Sequence, residues 1–217
     1  MISVLCPSRS RPELAERMVN SVFKNPGCEV EVIMYLNDDD PMLEEYKTRI
    51  TSANLIIGPD QSPVYSWNLM AQRAKYDILM LIGDDSYIDT ENWGKLVHAE
   101  FNKVPDKILM VAPKAGTLGR TKCPHFFLHK NWVDTLGYFL PPLFHHHYVD
   151  HWIRDIAMSL GRYVHLDNFV MPIIKNVNDE VINRYRNSWL KERDTFLWEK
   201  TERYKQADIE ALRSKIK

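Results

Sequence analysis

Two adjacent aspartates close the apolar run LMLIGDDSYI, Leu79 to Ile88. Side-by-side carboxylates at the end of a buried strand hinder each other's ionisation unless a divalent cation or a hydrogen-bond network compensates them. A hard cation that keeps water and phosphate oxygens as ligands needs only one or two protein carboxylates, which Asp84 and Asp85 supply. The same residues also suit a plain turn or helix cap, where Asp and Ser are common. Companion clusters strengthen the chemical reading: Arg9 and Arg11 can pair with phosphate oxygens, and Asp38, Asp39 and Asp40 can accept hydrogen bonds from a base or ribose. Such a rim suits a nucleoside diphosphate bridged by a metal. The chain has no GxGxxG after its first apolar run and no GxxxxGK(S/T), which argues against glycine-loop dehydrogenases and P-loop kinases. His145, His146, His147 and His151 look like a metal cluster, but three consecutive side chains diverge on any regular element. At most His147 and His151, four apart on a helix, can share a ligand.

These clusters need elements to hold them. The run ISVLCP (Ile2 to Pro7) predicts a strand ended by SRSRP, and a helix follows from about Pro12 to Lys24, with Leu14, Met18 and Val22 on one face. EVEVIMYL (Glu29 to Leu36) predicts a second strand, Pro41 to Thr48 a helix, NLIIG (Asn54 to Gly58) a third strand, and Pro63 to Ala74 a helix. The near-continuous hydrophobicity of YDILMLIG (Tyr76 to Gly83) predicts a fourth strand buried on both faces, as in the middle of a parallel sheet. Alternating strands and helices imply an open, doubly wound, mostly parallel α/β sheet, whose ligands sit at the carboxyl ends of the strands. Every polar cluster named so far falls at such an end. A helix near Glu91 to Phe101 and a strand near Ile108 to Pro113 complete this half. Beyond Lys114 the chain turns aromatic and rich in His and Pro. It then predicts a helix near Tyr148 to Leu160, a strand near Tyr163 to Ile174 and a charged helix from about Val181. In that last segment Trp189, Phe196, Leu197 and Tyr204 recur at helical spacing, as on a helix packed along the domain or against a second copy. One domain is expected, in three stretches: a nucleotide-binding half (1–113), an acceptor-facing half (114–178) and a C-terminal helical brace (179–217).

Composition sets the outer limits. At 217 residues, 45% hydrophobic and 26% charged, the chain can bury a full core as a soluble protein. Its longest apolar runs are too short or too proline-broken to span a bilayer, and Met1 leads straight into a strand without a basic flank, so neither membrane nor export is expected. Cys6, Cys28 and Cys123 are scattered and odd in number, which reads as reduced thiols in a cytoplasmic protein. A net charge of -1 gives no global basic surface, and Lys114, Arg120, Lys122 and Lys130 are the local candidates for touching a nucleic-acid phosphate.

Four segments in order, ISVLCPSRSRPE, VIMYLNDDDP, WNLMAQRAKYDILMLIGDDSYI and YVDHWIRDIAMSLGR, resemble the signature segments of GT-A fold glycosyltransferases of the family-two type, especially the short versions common in bacteriophage genomes. The resemblance covers roughly residues 1 to 175. It implies transfer of a sugar from a nucleotide-sugar donor to an acceptor hydroxyl, with inversion and with a divalent cation, Mn or Mg. It also implies that Pro7, Ser8 and Arg9 line the nucleotide pocket beside Arg11, that Asp38 and Asp39 contact base or ribose, and that Asn68 lies on the helix before the metal strand. Where the family reads Asp-x-Asp this chain has Gly83, Asp84 and Asp85, so Asp85 takes the metal position and Asp84 orients ribose or a metal-bound water. A third metal ligand, a histidine seen in relatives after the YVHLDNFVMPII strand, has no counterpart in PIIKNVND. Asp150 falls where inverting members carry the general base; otherwise it is a helix N-terminal carboxylate favoured by the helix dipole. The implied acceptor is a hydroxymethylated pyrimidine in viral DNA, or else a glycan or protein, in a host cytoplasm if the protein is viral. Two other readings of the residues are a nucleotidyltransferase, though PSRSRPE lacks the glycines a triphosphate loop wants, and a non-catalytic nucleotide- or carbohydrate-binding module, which needs no Asp150.

Overall fold

Short apolar runs, each cut off by a polar cluster, build the first half of the molecule. In the computed structural model, which describes residues 1–119, 122–174 and 188–216, they form β1 (Ile2–Ser8), β2 (Val30–Asn37) and β3 (Asn54–Gly58), joined by α1 (Pro12–Phe23) and α2 (Leu43–Arg49). The three strands pair in parallel, with Ile2 opposite Val30 and Ser8 opposite Leu36. The helix α3 (Pro63–Arg73) then carries the chain back across β1 to β4 (Ile78–Leu81), which pairs with the other edge of β1. That reversal puts a topological switch point between β1 and β4, and the crevice of an open α/β sheet opens beyond the strand ends at such a point. Local sequence explains the helices. Pro12 sits in the first turn of α1, where its missing N–H costs nothing, and Ala15, Met18, Val19 and Val22 make the buried stripe. Ser62 caps α3, its Oγ accepting the Tyr65 N–H at 3.0 Å.

The second half contributes α4 (Trp93–Asn102), β5 (Met110–Ala115), β6 (Phe126–His129), α5 (Lys130–Leu136), α6 (Val149–Ser159), β7 (Tyr163–Met171), α7 (Trp189–Lys200) and α8 (Glu202–Arg213). All seven strands form one sheet in the order β3-β2-β1-β4-β6-β5-β7. All four residues of β4 are buried, as its hydrophobicity requires, but its second neighbour is antiparallel. That neighbour, β6, and the helix after it are absent from the sequence reading, which took the segment as an aromatic wall. Phe126, Phe127 and Leu128 are fully buried between β4 and β5, so the aromatic run is sheet core. The boundary expected at residue 113 falls inside β5. Among the described residues no helix is long and apolar enough to cross a membrane.

The charged C-terminal segment is two helices breaking at Thr201, and the start expected at Val181 lies outside the described residues. Its packing face is Leu197, Trp198, Ile209 and Leu212, while Trp189, Phe196 and Tyr204 are exposed. Charged residues tie this segment to the rest of the molecule. Asp194 is wholly buried and accepts the backbone N–H groups of His145, His146 and His147, each at 2.9 Å, with the Arg193 guanidinium at 3.2 Å. Asp208 accepts the Trp152 Nε1–H at 3.0 Å and also the Tyr138 hydroxyl. Lys205 reaches Asp155 at 3.3 Å and lies 4.4 Å from the Trp198 ring centre. A buried carboxylate serving three consecutive N–H groups leaves all three unsatisfied when removed. Asp194→Ala is therefore expected to cost on the order of 3 kcal/mol in urea unfolding, and Asp194→Asn, which keeps one acceptor oxygen, to cost less.

Candidate active site

The loop after β1 and the end of β4 are joined across the switch point by a buried polar network. Asp84 is 5% exposed, and its two carboxylate oxygens are divided: Oδ2 accepts the Ser8 hydroxyl at 2.5 Å and Oδ1 the Arg11 guanidinium at 2.9 Å. Burial lifts the Asp84 carboxyl above its usual value, while Arg11 and Ser8 oppose that shift. The Tyr46 hydroxyl, from α2, sits 2.6 Å from Ser8 Oγ and accepts the Arg11 N–H at 2.8 Å. Burial raises that phenol well above its usual range, so it stays neutral. Pro7 lies within β1, opposite Tyr35.

Asp85 lies on the other side of this junction. It is half-buried, and its carbonyl accepts the Ile174 N–H at 2.7 Å, which pins the Asp85–Ser86 backbone against the end of β7. A Cβ built on Gly83 would lie 2.8 Å from Asp85 Oδ1, so the carboxylate folds over the position where a first DxD aspartate would stand. Ser86 Oγ is 3.3 Å from Asp85 Oδ1 and 2.8 Å from His125 Nε2. His125 is buried, and desolvation pulls its imidazole down to about 4.

The β2 and β3 loops complete this side. Asp38 and Asp39 are exposed, and Arg9 pairs with Asp39, its second nitrogen at 3.2 Å. Asp40 is buried instead and holds the loops together, accepting the N–H groups of Ser10 and Met42, each at 2.8 Å. Asn37 donates to Asp60 at 2.6 Å. Asn68 is engaged elsewhere: its carboxamide donates to the Leu140 carbonyl at 2.9 Å and accepts the N–H groups of Phe139 and Leu140 at 2.8 and 3.0 Å.

Asp150 enters from the opposite wall, in the first turn of α6. Burial pushes its carboxyl up. The His151 hydrogen bond, Nδ1 to Oδ1 at 3.0 Å, together with the backbone N–H groups of His151 and Asp150, overcomes that and holds the group below its usual value. His151 is raised in return. Tyr148, just before the helix, takes a left-handed backbone (φ 68°) unusual for a bulky residue, and its ring stacks on Trp198 at 5.2 Å. His147 lies in the turn before α6, outside the helix on which it was to pair with His151, and the His146 ring stacks on Trp67. The segment before β6 ties the two walls together: the Cys123 thiol points at the Asp150 carbonyl at 3.9 Å, and His125 reaches Ser86 while feeling the Asp150 charge. Ser8, Arg11 and Asp84 thus share one network, Arg9 pairs with Asp39 on the neighbouring loop, and Asp85 is connected to Asp150 through Ser86, His125 and Cys123. Tyr46, Ser86 and His125 were missed. Ser86 lay beside the motif, but His125 becomes visible only once β6 is known.

No protein-family model and no curated protein matches the chain. Solved structures do. Residues 1–349 of S. aureus TarS match with 15% identity and a TM-score of 0.60, over 80% of this chain and 60% of that one. The same TarS fragment in complex with UDP-GlcNAc matches with 14% identity and a TM-score of 0.60, over 83% and 60%. The mannosyltransferase PcManGT from Pyrobaculum calidifontis, in complex with GDP-Man and Mn2+, matches with 11% identity and a TM-score of 0.60, over 85% and 60%. The fold is the expected GT-A-like one. This chain spans about 60% of the length of each of these proteins.

The Asp150–His151 pair has a pH signature. A histidine whose folded value is raised contributes stability that is complete below the unfolded value near 6.5 and is lost as pH climbs through the folded value. Asp150 stays ionised across that window. His151→Gln is therefore expected to lower the melting temperature below pH 6.5 and to match wild type in alkaline buffer, as a pH series of thermal melts will show.

Proposed function

We propose that this chain is a glycosyltransferase moving a sugar from a nucleotide sugar to an acceptor hydroxyl, with inversion and with a divalent cation. One observation carries the reading. Ser86, next to the Asp84–Asp85 pair at the switch-point end of β4, contacts His125, and Cys123, two residues away, contacts the Asp150 carbonyl, in a fold shared with proteins solved with UDP-GlcNAc or with GDP-Man and Mn2+. The donor set suits a hard cation. Asp84 has both oxygens engaged by Ser8 and Arg11, and the family resemblance puts the metal carboxylate at Asp85. Among the described residues no three His, Cys, Asp or Glu side chains gather around one point. The Lys175–Asp179 stretch, where relatives carry a further ligand, lies outside the described residues. When bound, the cation would neutralise the departing diphosphate.

The chain's own residues do the rest. Arg9 and the exposed Asp38 and Asp39 face base and ribose, and the Ser8–Arg11–Asp84 network fixes the floor beneath them. Asp150, ionised and with Oδ1 occupied by His151, offers its other oxygen to the acceptor hydroxyl and takes that proton as the new glycosidic bond forms. A single displacement of this kind inverts the anomeric centre. For the acceptor we favour a glycan or protein hydroxyl over DNA: the net charge of -1 gives no global basic surface, and Lys130, one of the basic side chains named for phosphate contact, spends its ammonium on the Ala74 carbonyl at 2.9 Å.

A thermal-shift screen of UDP, GDP, CDP and dTDP sugars with and without Mn2+ tests the reading, since a ligand that binds the folded state raises its melting temperature. At least one is expected to shift the melt in a metal-dependent way, and no shift with any of them defeats the proposal. With that donor, Asp150→Asn should cut transfer by roughly 100-fold or more while keeping the shift, and Asp85→Ala should abolish the metal-dependent part of it.

A further inference from the structure

We propose that Ser86 and His125 are positioning residues for Asp85, a hydrogen-bond chain from imidazole to hydroxyl to carboxylate that aims the carboxylate at a divalent cation. The proposal rests on the reading of Asp85 as the cation's protein ligand. Ser86 Oγ is 3.3 Å from Asp85 Oδ1 and 2.8 Å from His125 Nε2, and Ser86 and His125 are 1% and 3% exposed, so the chain runs through dry interior. Its direction follows from proton counting. An ionised carboxylate only accepts, a serine hydroxyl has one proton to give, and Ser86 spends it on Asp85, so the His125 nitrogen facing Ser86 must donate. That fixes the proton on Nε2 and leaves Nδ1 as a buried nitrogen with no partner among the described residues.

Sheet register delivers the ring. Phe126 opens β6 opposite Leu81, so the antiparallel register carries His125 on to the level of Ile82, one residue before Gly83. A Cβ on Gly83 would stand 2.8 Å from Asp85 Oδ1, so the missing side chain is what lets the carboxylate lie where it does, while His125 Cε1 at 4.0 Å is in ordinary contact range behind it. The family's first DxD carboxylate is thus replaced by a neutral support behind the second. Partners of metal-binding side chains commonly set the ligand's orientation and the metal affinity.

The test is Mn2+ affinity, read from the EPR signal of free Mn2+ titrated into the full chain with UDP. Ser86→Ala and His125→Asn, whose shorter amide mimics Nδ1, are expected to weaken Mn2+ binding about tenfold or more, while His125→Gln, whose amide nitrogen reaches the Nε2 position, stays within about threefold of wild type. A structural role alone would not separate Gln from Asn in this way. Ring 15N NMR of the wild-type protein gives an independent reading that does not depend on any variant folding: the Nε2–H tautomer is expected at His125, and the Nδ1–H tautomer overturns the chain. Mn2+ affinity unchanged in both Ser86→Ala and His125→Asn overturns this proposal alone. No Mn2+ uptake by the wild-type protein sinks the functional reading and this proposal with it.

Discussion

A carboxylate buried at the end of β4 has to be compensated, and the way Asp84 is compensated organises the site. Its partners, Ser8 and Arg11, both come from the loop after β1, so the ion pair locks together the strand ends on either side of the switch point. Tyr46 adds α2 to the lock by touching Ser8 and the Arg11 backbone. Removing one member of such a buried pair costs about 3–5 kcal/mol in general, because the other charge is left uncompensated. The two neighbouring aspartates can coexist because their side chains leave the strand end in different directions. Asp84 turns into the floor and meets an arginine; Asp85 turns over Gly83 toward the crevice.

The opposite wall is held by a different device. Asp150 starts a helix whose approach is fixed by Asp194, a side chain that satisfies three successive backbone donors in the His145–His147 turn. The left-handed backbone of Tyr148 is tolerated there because its ring stacks on Trp198 and its hydroxyl lies 3.1 Å from Thr195 Oγ1. The Asp84–Asp85 rim is therefore built by the sheet, and the wall that carries Asp150 is held in place by the last two helices. The two meet through Cys123 and His125, and again where the His146 ring stacks on Trp67 of α3.

Much of the first half was legible because each strand there is an unbroken apolar run closed by turn residues, and β3 was placed to the residue. The polar clusters could be assigned to one end of the sheet for the same reason: the carboxyl ends of parallel strands in a doubly wound sheet lie on one side. What failed were residues whose partners are distant in the chain. Asp194 and Lys205 look like a solvated charged face, yet both are buried by the groups they bind. Asp40 resembles its exposed neighbours in sequence but faces inward onto Ser10 and Met42. The four-residue strand β6 gives too short a period to separate it from the aromatic segment around it. With β6 unseen, the place of His125 was unseen as well.

That short strand bears on how the molecule comes into being. During synthesis β1 to β4 emerge first, and β4 then presents one flank of unpaired N–H and C=O groups flanked by Ile78, Leu79, Met80 and Leu81 until residues near 129 leave the ribosome. An open apolar flank of that kind recruits other chains. A fragment ending near residue 113 would keep it permanently open, so the first half is not a separable module: its most hydrophobic strand is finished by the other half.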